Sequence, residues 1–439
     1  MKNLNKFIIM NTGLTLFILL FLTAPVFSEM RTQFVPSVSI TEKYTDNHLQ
    51  TENNKKDEFS TAYSAGLSFG LIDKNKSMFL EYRSGYTDYA SFDEEDSWTH
   101  ALSLNGQSQV SKHVNLSFSE NYVRDLSRTL RTNTLEKHDV NTTSAGMTYE
   151  FGPENRLGLN YTYSFDDYED PNADAHTSHT PSASFSYWFT PQWGMNLGAS
   201  YEKTEYDISS NESETWSGNI RVLKSITRHF DTYVAYAHTF TDQVSGDHTI
   251  HNPSVGFDWR PTDDSGISIG LGVLFQEWDN QNSDDSRDLF LDLDMYKTFD
   301  FSRKSTLSIT GSSGYRSTSE DAASLGFEIY YRAGALFSYR VTRRLTADLN
   351  ASYQVSQFDE PGLNRQDNTL GLGAGLVWAP LQWMNTRLSY SFNDFDTNAA
   401  LRDDYQENMV SFTISFVPSQ PVRFGASTPR ATLENQLFE

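Results

Sequence analysis

Two histidine pairs, His176 with His179 and His248 with His251, come nearest to metal-ligand spacing in this chain. An i, i+3 pair can share an ion from a helix, where both rings leave the same face. In extended chain the same spacing sends the rings to opposite faces. Both pairs are therefore expected as solvated loop histidines. Asp166 and Asp167 are adjacent carboxylates, a residue type that acid proteases and some barrel enzymes use. They open the run Asp166-Asp167-Tyr168-Glu169-Asp170, and that density of charge predicts a solvated loop instead. Serine is abundant but never in the Gly-x-Ser-x-Gly turn that exposes a nucleophile. No glycine-rich loop has phosphate-cradling spacing. Cysteine is absent, which excludes disulfides, thiolate metal sites and lipoprotein attachment. No catalytic residue, metal or cofactor is expected.

What remains is a set of charges at one strand parity. Alternation puts Glu81, Arg83, Arg221, Asp258, Asp292, Asp294, Glu328, Arg332, Asp348 and Arg387 on the polar side of their segments. Two chemistries are open to them. They can pair with opposite charges on neighbouring strands, or they can meet a solute in water. A further basic group, Arg124, Arg128, Arg131 and Lys137, falls in a segment read as a loop from Arg124 to His138. That loop would fold inward as a constriction, touch an anionic glycan, or form plain surface.

The elements that carry these residues are strands. Apolar and polar residues alternate from about Val35 to Val417, as in Leu157-Gly158-Leu159-Asn160-Tyr161-Thr162-Tyr163. Successive side chains of a strand face opposite ways. One face of each segment is therefore apolar, and the other carries Ser, Asn, Gly, Thr and charge. Ile267, Ile269, Leu271, Val273 and Phe275 alternate in this way with Ser268, Gly270, Gly272, Leu274 and Gln276. The pattern yields about twenty strands in ten hairpins, with eighteen as the alternative. Tight turns such as Asp73-Lys74-Asn75-Lys76, Gly152-Pro153-Glu154-Asn155 and Ala379-Pro380-Leu381 separate alternate pairs of strands. Longer acidic connections separate the others, among them Asp93-Glu94-Glu95-Asp96 and the stretch from Glu277 to Asp285. Outer-membrane barrels have short periplasmic turns and long external loops. No Trp-Asp signature of a propeller recurs.

Residues 1–28 read as a secretory signal. Lys2 and Lys6 precede an apolar run from Leu14 to Ala24, and Val26 and Ser28 suit a cleavage site. No later apolar run approaches the roughly 20 residues of a membrane helix. Aromatics make up 14% of the chain, as the two interfacial girdles of a transmembrane barrel require. The formal charge is −23, and −25 once Lys2 and Lys6 are removed with the signal. Such a chain repels the phosphates of nucleic acid. The acidic loops would face lipopolysaccharide, either bridged to it by divalent cations or simply solvated.

The fold class expected is all-β, a transmembrane antiparallel up-and-down β-barrel in the cell outer membrane. It would span 29–417 and be followed by a periplasmic tail over 418–439. An even strand count puts both termini in the periplasm. The segment Glu29 to Phe34 is too short for a plug domain, so the lumen would be open or closed by its own loops. A barrel of this size leaves an aqueous channel.

Two segments carry a resemblance. Phe34 to Asn47, with Lys56-Asp57-Glu58-Phe59 and Gly66-Leu67-Ser68, resembles the opening of a family of outer-membrane β-barrel porins associated with exopolysaccharide and exosortase gene clusters. Leu388 to Phe392 and Asp404 to Asn408 look like that family's closing hairpin. The strand ending at Phe416 also resembles the closing strand of such barrels, although about twenty residues follow it. The resemblance implies passage of secreted polysaccharide across the outer membrane, with outer-membrane lipid and periplasmic export machinery as partners. It transfers no catalytic residue. A general diffusion porin, an enzyme acting on membrane lipid or protein, and a non-conducting structural anchor are the alternatives.

Overall fold

The computed structural model describes residues 31–128, 135–169, 175–207, 212–243, 247–279, 286–320, 323–360, 363–399 and 402–424. The expected signal and the tail beyond Phe424 lie outside the described residues. The chain forms β1 (Arg31–Thr45), β2 (Glu58–Ile72), β3 (Lys76–Tyr89), β4 (Ser97–Gln109), β5 (Val114–Arg128), β6 (Leu135–Gly152) and β7 (Asn155–Tyr168). It continues through β8 (His176–Thr190), β9 (Trp193–Tyr206), β10 (Glu212–Thr227), β11 (Phe230–Gln243), β12 (His248–Thr262), β13 (Ser265–Trp278) and β14 (Ser286–Ser302). The last strands are β15 (Ser305–Glu320), β16 (Ala323–Arg340), β17 (Leu345–Glu360), β18 (Leu363–Leu381), β19 (Met384–Thr397), β20 (Tyr405–Phe416) and the short β21 (Val422–Phe424).

Each of β1 to β19 pairs antiparallel with the next, and β1 pairs with β20 from Val38–Phe416 to Thr45–Met409, which closes the sheet. The barrel wall therefore has twenty strand positions, not eighteen. Pro418 and Pro421 break the chain after β20. It then resumes the same strand position, and Val422 to Phe424 pair with Phe34 to Thr32 of β1. The wall thus runs a few residues past the boundary expected at Val417.

Alternation sorts the two faces. Val234, Val255 and Leu271 lie on the outward parity and are 62%, 56% and 61% exposed, as side chains without a protein core behind them must be. On the inward parity a single row runs Ser117, Gly146, Asn160, Ser182, Ser200, Ser217 and Thr239 across seven consecutive strands. Glu120 is an exception, a carboxylate on the outward parity opposite Leu104. Aromatics collect near the short turns, where Tyr149, Phe151, Phe185 and Tyr187 stack in one group and Trp383 stacks on Phe416.

Two features differ from expectation. Strands β1 to β20 run from 12 to 19 residues, although about 9–11 suffice to cross a membrane. Much of the sequence read as external loop is therefore paired wall. Arg124 lies in β5, Lys137 and His138 in β6, Asp166 and Asp167 in β7, and Glu277 in β13. Above the bilayer a strand needs no apolar face, so alternation fades while the hydrogen-bond ladder continues. Secondly, Pro261 and Pro380 lie inside strands at register shifts, between Trp259 and Thr262 and between Trp378 and Leu381. A residue without an N–H fits where the ladder is already broken. The last short turn accordingly falls after Leu381, not at Ala379.

The sorting predicts asymmetric mutational costs. Leu271→Arg should destabilise the barrel by about 2–4 kcal/mol in lipid vesicles, because the charge enters hydrocarbon. Ser200→Arg, on the lumen side, should change stability little. Denaturant titration of refolded protein would measure both.

Candidate functional site

The pairing places all ten candidate charges on the inward parity. Glu81 and Arg83 lie opposite Ser68 and Gly66, Arg221 opposite Asn196, and Asp258 opposite Ser268. Asp292 and Asp294 lie opposite Gly270 and Ser268. Glu328 and Arg332 lie opposite Arg316 and Ser312, Asp348 opposite Gly375, and Arg387 opposite Thr413. They do not converge on one point. Instead the lumen wall carries separate polar clusters.

The first is built around Arg221. Its guanidinium crosses β11 to reach Asp258 on β12, with Nη2 donating to Oδ2 at 2.8 Å. The Tyr233 ring lies beneath it, 3.5 Å from Cζ to the ring centroid. Ser268 Oγ donates to the other Asp258 oxygen at 2.7 Å. Glycine on the next two strands gives Tyr233 its place. A Cβ at Gly256 would come within 2.5 Å of the tyrosine, and one at Gly270 within 2.6 Å of its hydroxyl. Asp292 and Asp294 continue the cluster on β14 and form no ion pair among the described residues.

The second cluster uses the same device. Arg387 of β19 reaches over β18 and donates to Asp348 of β17 at 3.2 Å. Gly375 of β18 leaves the room, since a Cβ there would meet Asp348 Oδ2 at 2.4 Å. Nearby, Arg332 donates twice to Gln354 Oε1, at 2.8 and 2.5 Å. Glu81 and Arg83 form no ion pair among the described residues.

The third feature is a hairpin turned into the lumen. β14 pairs with β15 only as far as Leu293 and Ser313. Above that level β14 keeps its pairing with β13, and β15 its pairing with β16. Ser313 covers the parting ladder, accepting from Leu293 N at 3.0 Å and donating to Leu291 O at 2.5 Å. Ile250, Leu274 and Phe290 sit on the inward parity of β12, β13 and β14 and are buried together, with Tyr315 and Ile329 packed against them. Phe290 and Tyr315 meet edge to face at 5.0 Å. Lower in the strand, the parity of Tyr315 faces out of the barrel. Its contact with inward residues requires upper β15 and β16 to lie on the lumen side of β12–β14. On the opposite face of the hairpin, Arg316 Nε donates to Glu328 at 2.5 Å. Leu274, apolar on a polar parity, is the sequence trace of this packing.

At the long-hairpin rim, Tyr122 donates to Asp139 at 2.6 Å, Arg124 lies 3.6 Å from the same carboxylate, and Lys137 lies 3.6 Å from Glu169. Arg124 and Lys137 therefore belong to a paired, charge-compensated wall and not to a basic loop. The histidine pairs are likewise on strands, His176 and His179 in β8 and His248 and His251 in β12. His138 bonds Asp166 and stacks on Tyr168 at 4.5 Å between centroids. Burial opposes its charge, but the hydrogen bond it donates to Asp166 and the charges of Asp166, Asp125 and Asp139 prevail and raise its pKa.

Comparison with known proteins extends the fold and stops there. No family model matches the chain, and no curated protein does. The FrpB iron transporter of Neisseria meningitidis aligns with a TM-score of 0.53 at 11% identity, over 90% of this chain and 83% of that one. The ferric enterobactin receptor PfeA of Pseudomonas aeruginosa gives 0.51 at 9% identity, over 90% and 82%. The siderophore receptor PirA of the same organism gives 0.50 at 12%, over 90% and 81%. This chain has the fold of outer-membrane β-barrels. The motifs that carry the resemblance to polysaccharide-cluster porins lie in the first and last hairpins. These similar structures are receptors and transporters.

Two outcomes follow from the site. Arg221→Ala should leave Asp258, Asp292 and Asp294 uncompensated in the lumen. The reversal potential in a salt gradient should then shift toward cation selectivity. At the rim, a raised histidine pKa contributes stability that is complete below the unfolded value of about 6.5 and is lost as pH rises through the folded one. Protease protection of the β6–β7 hairpin should fall across that window in the wild type. His138→Asn should abolish the pH dependence.

Proposed function

We propose that the barrel is a passive aqueous path across the outer membrane for an exported polysaccharide, with the short-turn rim and both ends of the wall in the periplasm. The carrying observation is the inward wall itself. Rows of Ser, Gly, Asn and Thr offer short hydrogen-bonding groups that suit a hydroxyl-rich chain sliding past. The charged side chains among them are partly neutralised, as in Arg221 with Asp258 and Arg387 with Asp348. A neutral or weakly charged glycan would meet little fixed field along such a wall, which is what transit without trapping needs. The resemblance of the first and last hairpins to polysaccharide-cluster porins favours the same reading.

A diffusion path for small solutes is the second reading. The β15–β16 hairpin favours it, because a lumen narrowed from one side suits compact solutes better than a polymer. An in-frame deletion separates the two. Polysaccharide should disappear from the cell surface, accumulate in the periplasm and be restored by the wild-type gene. Unchanged surface polysaccharide would leave the small-solute path.

A further inference from the structure

The outer wall carries a repeated arrangement that the lumen does not explain. Tyr82 bonds His100 Nδ1 at 2.9 Å, Tyr161 bonds His179 Nδ1 at 2.6 Å, and Tyr236 bonds His251 Nδ1 at 2.7 Å. Each tyrosine sits on the rising strand of an external hairpin and each histidine on the descending one. The three hairpins, β3–β4, β7–β8 and β11–β12, are spaced evenly, four strands apart. The tyrosines also stand at one height, since the intervals from Lys76 to Tyr82, Asn155 to Tyr161 and Phe230 to Tyr236 are equal. Six residues of a strand tilted 35–45° climb about 15 Å. The tyrosines therefore stand above the middle of an apolar band about 25 Å tall, and the row of His238, His251, Phe275 and Arg287, two positions higher, lies toward its upper margin.

Two of the pairs have a cation directly opposite the histidine, and the third has one two strands along the same row. Arg124 lies directly opposite His100, and Lys203 directly opposite His179. In the third cluster His238, His251, Phe275 and Arg287 form one row across β11 to β14. The rings of His238 and His251 are 4.9 Å apart, and Arg287 stands 5.6 Å from the Phe275 ring. The clusters differ in their counter-charges. Arg124 faces Asp139 at 3.6 Å, and Lys203 is held by Glu205 at 2.8 Å and Glu212 at 3.4 Å. Arg287 forms no ion pair or hydrogen bond among the described residues. The acids of this sector on the same outward parity, Asp242, Asp247 and Glu277, stand further up the wall.

A guanidinium on an outward face at this height, unpaired and rising from a phenyl ring, is positioned for an anion supplied by the membrane. We infer that Tyr236, His238, His251, Phe275 and Arg287 form a site for the phosphate of an outer-leaflet lipid. Arg287 supplies a planar fork for phosphate oxygens. His251 Nδ1 is engaged by the Tyr236 hydroxyl at 2.7 Å and by His238 Nδ1 at 3.3 Å, which leaves its Nε2 for the ligand. Phe275 holds the guanidinium at the edge of the hydrocarbon, where acyl chains begin. The charge layering fits the occupant, with apolar wall below, cations at headgroup height and carboxylates above. Assignment to the outer leaflet rests on the orientation proposed above, whereas the site's preference for a phosphorylated lipid does not.

Native mass spectrometry of the full barrel in detergent, titrated with lipid A, tests the site without depending on orientation or transport. Wild-type protein should retain lipid A, and Arg287→Gln should bind it at least about tenfold more weakly. Dephosphorylated lipid A should bind the wild type no better than intact lipid A binds the variant. Inorganic phosphate should not compete at equal concentration. Equal retention by wild type and a folded Arg287→Gln barrel, judged by its unchanged gel mobility shift on heating, would overturn the proposal. Displacement by inorganic phosphate would overturn it as well, because the site would then take a free anion and not a lipid.

Discussion

Every backbone N–H and C=O that crosses hydrocarbon must find its partner inside the protein, because the lipid offers none. The rest of this structure depends on that constraint. It is met by the pairing of β1 with β20, supplemented below by Val422 to Phe424. The seam is then fastened at the long-hairpin rim. Thr45 donates to Glu407 at 2.7 Å, and Asp46 accepts from the backbone and side chain of Asn408, each at 2.7 Å. Once the sheet closes, its outward parity must be apolar and its inward parity is released for polar groups.

Closure also sets the style of the lumen chemistry. Curvature brings inward side chains close together, so an arginine finds its carboxylate two strands away and the strand between must offer a small or flat residue. Gly375 plays that part under Arg387, and Tyr233 under Arg221. Where the ladder is allowed to part, above Leu293 and Ser313, serine hydrogen bonds and an apolar cluster replace it. The released hairpin then occupies space that the wall alone would leave to water.

The features legible in the sequence were those with a short physical period. Alternation located all twenty strands, and the turn chemistry of Gly152-Pro153-Glu154-Asn155 marked a real turn, with Glu154 at φ 63°. The candidate charges share one parity with the Ser, Gly and Asn rows, as alternation required. What escaped had no local signal. The last residues of β5, Asp125 to Arg128, and the first of β6, Leu135 to Lys137, lack clean alternation and read as loop. Pro380 read as a turn because its bulge is defined by a neighbouring strand. The contact of Phe290 with Tyr315 joins residues whose parities oppose each other along the wall, and only a bent hairpin reconciles them. The tyrosine–histidine pairs were equally hidden, because each histidine lies two positions from the cross-strand partner of its tyrosine.

The central claim is a water-filled lumen narrowed from the β12–β14 side by the upper part of β15 and β16. Single-channel recording of the purified barrel in a planar bilayer, beside Phe290→Ala, tests it most directly. The wild type should carry a steady ohmic current and the variant a larger one, because its hairpin has lost its main packing partner. Absence of current from both proteins, each shown to be folded and inserted, would contradict it.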